Sequence, residues 1–218
     1  MPLSFLVNII NINRLPEDQY ITASCIVENN SVVKNGNLVF DSNGTSTGDF
    51  FTSLYKYLET DYARFYKMDN LSKLGWLASE VLLKDSFAAD KYKPEETGIV
   101  LANANASLDT DIKYFETVKE IASPSVFVYT LPNIVTGEIC IRNHFKGETA
   151  FFVSENFDAN FITGYVQGLL NADVLQACIC GWIELLKDEY KAVLLLVEKQ
   201  GSDVTFTKEN MTKIFNNK

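Results

Sequence analysis

Few side chains in this sequence could carry nucleophilic chemistry. There are four cysteines, at positions 25, 140, 178 and 180, and a single histidine, His144. Cys178 and Cys180 alternate along an apolar run, which places both sulfurs on one side of a strand, and Cys140 lies in an apolar, helix-like stretch. We interpret these thiols as core residues and His144 as a surface residue at a helix end. Two sulfurs do not supply the four ligands of structural zinc, so no metal or cofactor is expected.

A block between residues 123 and 147 has a more specific pattern. It reads S-P-x-x-F-x-x-x-x-P-N over residues 123–133 and G-x-I-x-I-R-x-x-x-K-G over residues 137–147. An apolar run, a helix-like segment and a second apolar run follow, and the second run ends in Gly181 and Glu184. This order and spacing resemble the amino-terminal half of the β-ketoacyl synthases, enzymes of the thiolase fold. The match spans roughly residues 69–198.

The resemblance implies a nucleophilic cysteine at a strand-to-helix junction, where the helix amino terminus lowers the pKa of the thiol. Counting onward from Gly147 puts this position within Glu155, Asn156 and Phe157, and Asn156 is the direct count. None of these side chains can form an acyl thioester. We therefore expect no catalytic residue here and interpret Asn156 and Asp158 as caps of the following helix. Residues 103–107 stand where the family has a glycine-rich turn, but they are mostly Asn and Ala.

The family also uses two histidines, or a histidine and another polar residue, from its carboxyl-terminal half. Residues 190–198 resemble the strand that closes the first half, and only about twenty residues follow it in this sequence. We therefore expect the histidines of the second half to be absent from this chain. With one histidine, the chain is not expected to be an enzyme by itself.

Composition limits the remaining possibilities. The 218 residues are 47% apolar, which is typical of one folded domain, and 19 basic against 28 acidic residues give a net charge of −9. This charge argues against binding to nucleic acid or to an anionic membrane. The cysteines are few and lie mostly in apolar runs, which favours reduced, buried thiols over disulfides. No apolar stretch approaches the roughly 20 residues that a membrane-spanning helix needs. We expect a cytoplasmic protein.

Hydrophobic periodicity and turn residues predict an α/β domain over residues 1–218: a thiolase-like layered αβα half with a mainly parallel central sheet. Residues 28–48 are expected to be a loop-rich excursion with a hairpin at Asn35-Gly36. Gly137 is expected to allow a close helix contact, and Gly147 to end that helix as a left-handed cap. The predicted strands are 3–12, 98–102, 148–154, 174–180 and 191–197. The predicted helices are one or two within 48–67, then 69–84, 109–121, 133–145 and 158–171.

Three functions are compatible with these observations. The first is a catalytically degenerate, chain-length-factor-like subunit that partners an active ketosynthase in fatty-acid, polyene or polyketide-type elongation. The second is a genuine acyltransferase that uses Cys140 or another residue and takes its histidines from a partner. The third is a homodimeric acyl-binding module. The resemblance implies an active ketosynthase or a second copy as partner, and an acyl carrier protein as a further one.

Overall fold

A computed structural model describes residues 18–42 and 46–217. Its described part contains a seven-stranded sheet between two helical layers, with the strand order β3-β2-β1-β7-β6-β4-β5. The predicted strand at residues 3–12 lies outside the described residues. The strands are β1 Tyr20–Glu28, β2 Ser31–Lys34, β3 Asn37–Asp41, β4 Thr97–Asn103, β5 Thr149–Val153, β6 Ala177–Leu186 and β7 Glu189–Glu198.

Parallel pairing is confined to one side of the sheet. Strand β4 pairs in parallel with β5 and β6, whereas β6–β7, β7–β1, β1–β2 and β2–β3 are antiparallel. The predicted α/β layered class is confirmed, and the expected parallel pairing describes three of the seven strands. The difference arises because β6 and β7 are joined by a tight turn at Lys187-Asp188, which forces them to run in opposite directions.

The expectation of a loop-rich segment at residues 28–48 was wrong, although the hairpin within it is confirmed. Strands β2 and β3 form that hairpin, and its turn has Asn35 at φ 49° and Gly36 at φ 78°. A second tight turn at Asn29-Asn30, with φ 50° and 56°, joins β1 to β2. Positive φ at both turn residues matches the twist of the flanking strands, so asparagine here builds hairpins rather than loops.

Two helical layers cover the sheet. One core cluster joins α1, α2 and α5 to one face, and a second joins α6 and α7 to the other. The predicted helices are confirmed, and Asp69 caps α2 by accepting a hydrogen bond from Ser72 N at 2.9 Å. The helices are α1 Thr47–Tyr57, α2 Asn70–Leu83, α3 Leu108–Val118, α4 Pro124–Phe127, α5 Ile134–Asn143, α6 Ala159–Asn171 and α7 Lys208–Phe215.

Both glycine predictions for α5 were wrong. The left-handed residue that ends α5 is His144, at φ 58°, rather than Gly147. Gly147 instead lies against the start of β4, where a Cβ would stand 2.5 Å from Thr97 O. A Cβ at Gly137 would meet nothing within 4 Å, and the close helix contact is made from the other side, by Gly75 of α2. These roles depend on neighbouring elements, which local sequence does not reveal.

Helix α3 exposes the residues that give it helical periodicity. Ile112 is 47% exposed, Phe115 65% and Val118 49%. The apolar spacing predicted the helix correctly, but this face of α3 does not contact the core. Such a stripe normally faces the interior of a globular protein.

Gly75 and Gly137 offer a matched pair of tests. At Gly75 a Cβ would stand 2.4 Å from Val135 Cγ2, so we expect Gly75→Ala to lower the free energy of unfolding by about 1–3 kcal/mol. Gly137→Ala meets open space and should stabilise the protein by about 0.5–1 kcal/mol through helix propensity. Urea denaturation measures both. Equal effects of the two substitutions would contradict the close α2–α5 packing.

A buried carboxylate ties the connection between α2 and β4 to the sheet. Glu198, at the end of β7, has a side chain 6% exposed and accepts hydrogen bonds from Lys91 Nζ at 2.7 Å and Tyr92 Oη at 2.5 Å. Burial alone would raise the pKa of Glu198, but hydrogen bonds from Lys91, Thr22 and Tyr92, together with the charge of Lys91, outweigh it and lower the pKa below its ordinary value. The charged form is therefore the one that stabilises the fold.

We expect Glu198→Gln to lower the free energy of unfolding by about 1–3 kcal/mol at pH 7, because the amide loses charge-assisted hydrogen bonds. A depressed pKa stabilises the folded state above the unfolded-state value of 4.5 and ceases to do so as pH falls through the folded-state value. The difference between wild type and variant should therefore shrink below pH 4.5 in denaturation series. Glu116→Gln, in an exposed pair with Lys119, is the control and should change stability by less than about 0.5 kcal/mol. A difference that grows on acidification would contradict the assigned direction.

Candidate functional site

The carboxyl ends of β4, β5 and β6 lie at the same end of the sheet, because the three strands are parallel. The loop after β4 (residues 104–107) and the loop after β5 (residues 154–158) both lie at this end. Ser154 N donates to Asn103 O at 2.9 Å, which joins the two strand ends. Sites in α/β folds are characteristically built from such loops.

Side chains hold the loop after β4 in place of glycines. The Asn103 carboxamide accepts from Ala106 N at 2.9 Å and donates to Ala106 O at 2.8 Å, while Ala106 has φ 48°. Glu184 of β6 accepts from Ala104 N at 2.6 Å and from Asn105 Nδ2 at 3.1 Å. Sequence reasoning missed this role of Glu184, although the residue was noted at the end of the second apolar run.

Asn156 lies in the loop between β5 and α6, one residue beyond Glu155, and both are exposed. The backbone carbonyl of Asn156 accepts from Ser154 Oγ at 3.0 Å. The expectation that Asn156 caps α6 was wrong, because the N-cap lies two residues later. That cap is Asp158, as predicted, since its carboxylate accepts from Phe161 N at 2.9 Å. Asn156 thus lies between the end of β5 and the start of α6, and its side chain is a neutral amide.

Phe157 joins this loop to the last described helix. Its ring stacks on Phe215 of α7, with centroids 3.8 Å apart and planes 3° apart, and meets Trp182 edge-on at 6.1 Å. An open pocket of about 800 Å³ lies between the starts of α6 and α7. Residues 154–160 line one side, and Lys208, Glu209 and Thr212 line the other. Phe157 thus lines the pocket and also packs against α7.

None of the four thiols lines this pocket. Cys25 is fully buried, and burial raises its pKa to about 12. Burial also raises the pKa of both Cys178 and Cys180, which lie in the core beneath α6, as expected from their spacing. All three thiols therefore stay protonated, and a protonated thiol is a poor nucleophile.

Cys140 and His144 are not brought to Asn156. Cys140 lies in α5 and His144 follows its last residue, and the core contacts of α5 lie on the sheet face opposite to α6. Burial raises the pKa of the Cys140 thiol to about 11. His144 is exposed at the end of α5, the surface position predicted for it. The geometry therefore does not favour acyl transfer through Cys140.

Within residues 18–42 and 46–217, no group of three or more His, Cys, Asp or Glu side chains is arranged to hold a metal ion. None of the helices in those two ranges is both long and apolar enough to cross a membrane.

Comparison with known proteins places the fold. No family model matches the sequence, and no curated protein has a significantly similar sequence. Solved structures do match. The ishigamide ketosynthase/chain length factor is 17% identical with a TM-score of 0.60, and covers 86% of this chain and 64% of its own. A chain of AntDE:AntF, a type II polyketide ketosynthase with its acyl-carrier protein, is 17% identical with a TM-score of 0.59, over 84% and 63%.

A third match comes from the complex of the ketosynthase ApeO with its chain length factor ApeC from Xenorhabdus doucetiae. It is 13% identical with a TM-score of 0.52, and covers 87% of this chain and 81% of its own. This chain thus spans less than two thirds of the first two structures and more of the third. It has the thiolase-like fold of ketosynthases and chain length factors, as the sequence resemblance predicted.

Thiol alkylation tests the description of the site. At pH 8 the native chain should resist iodoacetamide, because three thiols are buried, Cys140 is partly buried, and burial raises the pKa of all four. The denatured chain should take up four labels, one per cysteine. Asn156→Cys should add a single, rapidly labelled thiol, because position 156 is exposed in the loop before α6. Intact mass counts the labels. Rapid native labelling of Cys140 would contradict the protonated state assigned to it.

Proposed function

We propose that this chain is a non-catalytic ketosynthase-like subunit that acts with an active ketosynthase in fatty-acid, polyene or polyketide-type chain elongation. The observation that carries the proposal is Asn156, an exposed amide at the strand-to-helix junction of a ketosynthase fold. A carboxamide is neither an acyl acceptor nor a thiolate source. The nucleophile must then come from another polypeptide.

One edge strand of the sheet, β5, supports binding to such a partner. Strand β5 has the sequence Thr-Ala-Phe-Phe-Val and, within the described residues, pairs only with β4. It contains no proline and no charged residue, and Val153 is 56% exposed. An apolar edge strand without such protection readily pairs with a strand of another chain.

The exposed face of α3 and the segment after it supports the same inference. Seven apolar residues between positions 112 and 131 are each at least 47% exposed. Exposed apolar surface of this extent marks interaction sites on folded proteins. These residues, which we call the α3 face, are Ile112, Phe115, Val118, Ile121, Phe127, Val128 and Leu131.

In this proposal the β5 edge and the α3 face bind a ketosynthase that carries its own cysteine, and an acyl carrier protein is a further partner of the pair. The three matched structures include a ketosynthase with its chain length factor and one with its acyl-carrier protein, which makes such an assembly a reasonable model. A second copy of this chain is the competing occupant of the same surfaces.

The mass of the native complex tests the proposal. The full chain, carrying an affinity tag and isolated gently from its own cells, should elute with a ketosynthase in a fixed stoichiometry. Mass photometry gives the stoichiometry, and peptide sequencing shows whether the partner has a reactive cysteine. The measurement should use protein concentrations above a Kd of about 1 μM, which corresponds to a binding free energy of about −8 kcal/mol. Recovery of only a monomer or a homodimer under these conditions would overturn the proposal.

Surface variants locate the contact. Phe115 is 65% exposed, so Phe115→Asp should leave the circular dichroism spectrum unchanged and weaken the complex by about tenfold or more. Leu38→Asp, at a 60% exposed leucine on β3 at the opposite edge of the sheet, is the control and should bind as wild type. Equal binding by both variants would exclude the α3 face.

A further inference from the structure

The first turn of α3 anchors the helix and fixes the direction in which its other side points. Asp109 and Thr110, in that turn, are the buried residues of the helix. The Asp109 carboxylate accepts from Lys187 N at 3.0 Å, and Thr110 Oγ1 donates to Asp69 Oδ2 at 2.6 Å. The opposite side of α3, which carries the first residues of the α3 face, therefore points away from the core.

Two opposite charges flank Phe115 on this exposed side. With 3.6 residues per turn, Asp111 lies about 40° from Phe115 around the helix axis, and Lys119 lies about 40° away in the other direction. Both side chains are exposed. The Asp111 carboxylate lies 3.4 Å from Ser107 Oγ, and Lys119 forms an ion pair with Glu116 in which both members are more than half exposed. Exposed pairs of this kind contribute little free energy, so both charges are available to a partner.

The exposed side of α3 is complementary to itself. When two antiparallel copies pack about a two-fold axis at Phe115, positions equally far before and after Phe115 come to the same height along the pair. Asp111 and Lys119 are each four residues from Phe115, so Asp111 of each copy comes level with Lys119 of the other. Ile112 and Val118, three residues away on either side, come level in the same way. The contact then has two apolar pairs and two ion pairs around the Phe115 rings.

Charge also selects this register over its neighbours. Moving the axis half a residue toward the end of α3 brings Asp111 level with Glu120, which is also acidic. Moving it half a residue the other way brings Asp111 level with Val118 and Lys119 level with Thr110, so neither charge is paired. Like charges that face each other across an interface oppose binding, whereas complementary charges fix its register.

We propose that the isolated chain forms a reversible homodimer through antiparallel α3 helices, with Asp111 and Lys119 paired across a two-fold axis at Phe115. Two 11-residue helices make a contact smaller than the roughly 800 Å² per partner of stable interfaces, so this dimer is weak. In the proposed function the same face binds a ketosynthase, and the homodimer covers its apolar residues until that partner displaces the second copy. Only this displacement rests on the proposed function.

Charge reversals test the pairing. Asp111→Lys and Lys119→Asp each place like charges at both ion-pair positions, so each variant alone should raise the Kd of the dimer at least about tenfold. An equimolar mixture of the two variants should dimerise within about threefold of the wild-type affinity, because positions 111 and 119 of the two chains again carry opposite charges. Both substitutions also disfavour the helix dipole of α3, and mixing does not repair that effect, so recovery in the mixture reports the contact itself.

Sedimentation velocity of the full chain gives the Kd. It should be run at about 0.15 M salt, where a Debye length of about 8 Å screens the repulsion between two chains of charge −9. Lys208→Glu, on α7 with a side chain 59% exposed, is the control and should dimerise as wild type. A wild-type chain that stays monomeric up to about 100 μM, or a mixture no more dimeric than either variant alone, would overturn the inference.

Failure of this inference and failure of the proposed function are distinguishable. A chain that is monomeric by itself but recovers a ketosynthase from its own cells overturns the homodimer alone. A chain that dimerises as the charge reversals require but recovers no ketosynthase overturns the proposed function alone.

Discussion

The burial of strand β4 is the constraint on which the rest of the structure depends. All seven of its residues, Thr97–Asn103, are buried, and it has a parallel neighbour on each side. A strand buried on both faces needs a helical layer above and below, which α2 with α5 and α6 with α7 supply. Its parallel neighbours require long crossover connections, and those connections carry α3 to α5 and α6. The same pairing brings the loops after β4 and β5 to the same end of the sheet.

Glycine allows the strands to approach as closely as this arrangement needs. A Cβ at Gly98 would stand 2.3 Å from Glu148 O, and one at Gly147 would stand 2.5 Å from Thr97 O, so the starts of β4 and β5 touch through backbone alone. Gly181 of β6 has φ 153°, and a Cβ there would lie 1.9 Å from Val193 O. The strands of the site are thus packed tightly, whereas Asn156 at their far end is exposed. A rigid scaffold with an open loop suits binding as well as catalysis.

The chemistry of the site follows from one side chain more than from the scaffold. The strand-to-helix junction is formed, and Asp158 caps α6 as a capping carboxylate should. Asn156, in the loop before α6, has an amide side chain. The thiols of Cys178 and Cys180 are buried beneath α6, and burial raises their pKa values. In the proposed function the chain keeps the ketosynthase scaffold for its surfaces, namely the β5 edge and the α3 face. Fold and reaction are separable in this way because catalysis depends on a few positioned groups.

Sequence alone determined the features that act over a few residues: the capped helix α2, the buried strand β4, the hairpin turn at Asn35-Gly36 and the position of Asn156 at a strand-to-helix junction. Periodicity, capping and turn preferences depend on neighbouring residues in the sequence, so they can be predicted locally. The thiolase-like fold was predicted from the order and spacing of the motifs. Only the tertiary structure decided that the α3 stripe is exposed, that Glu184 holds the loop after β4, and that His144 ends α5. Each of these depends on which distant element packs alongside, and no local pattern encodes that contact.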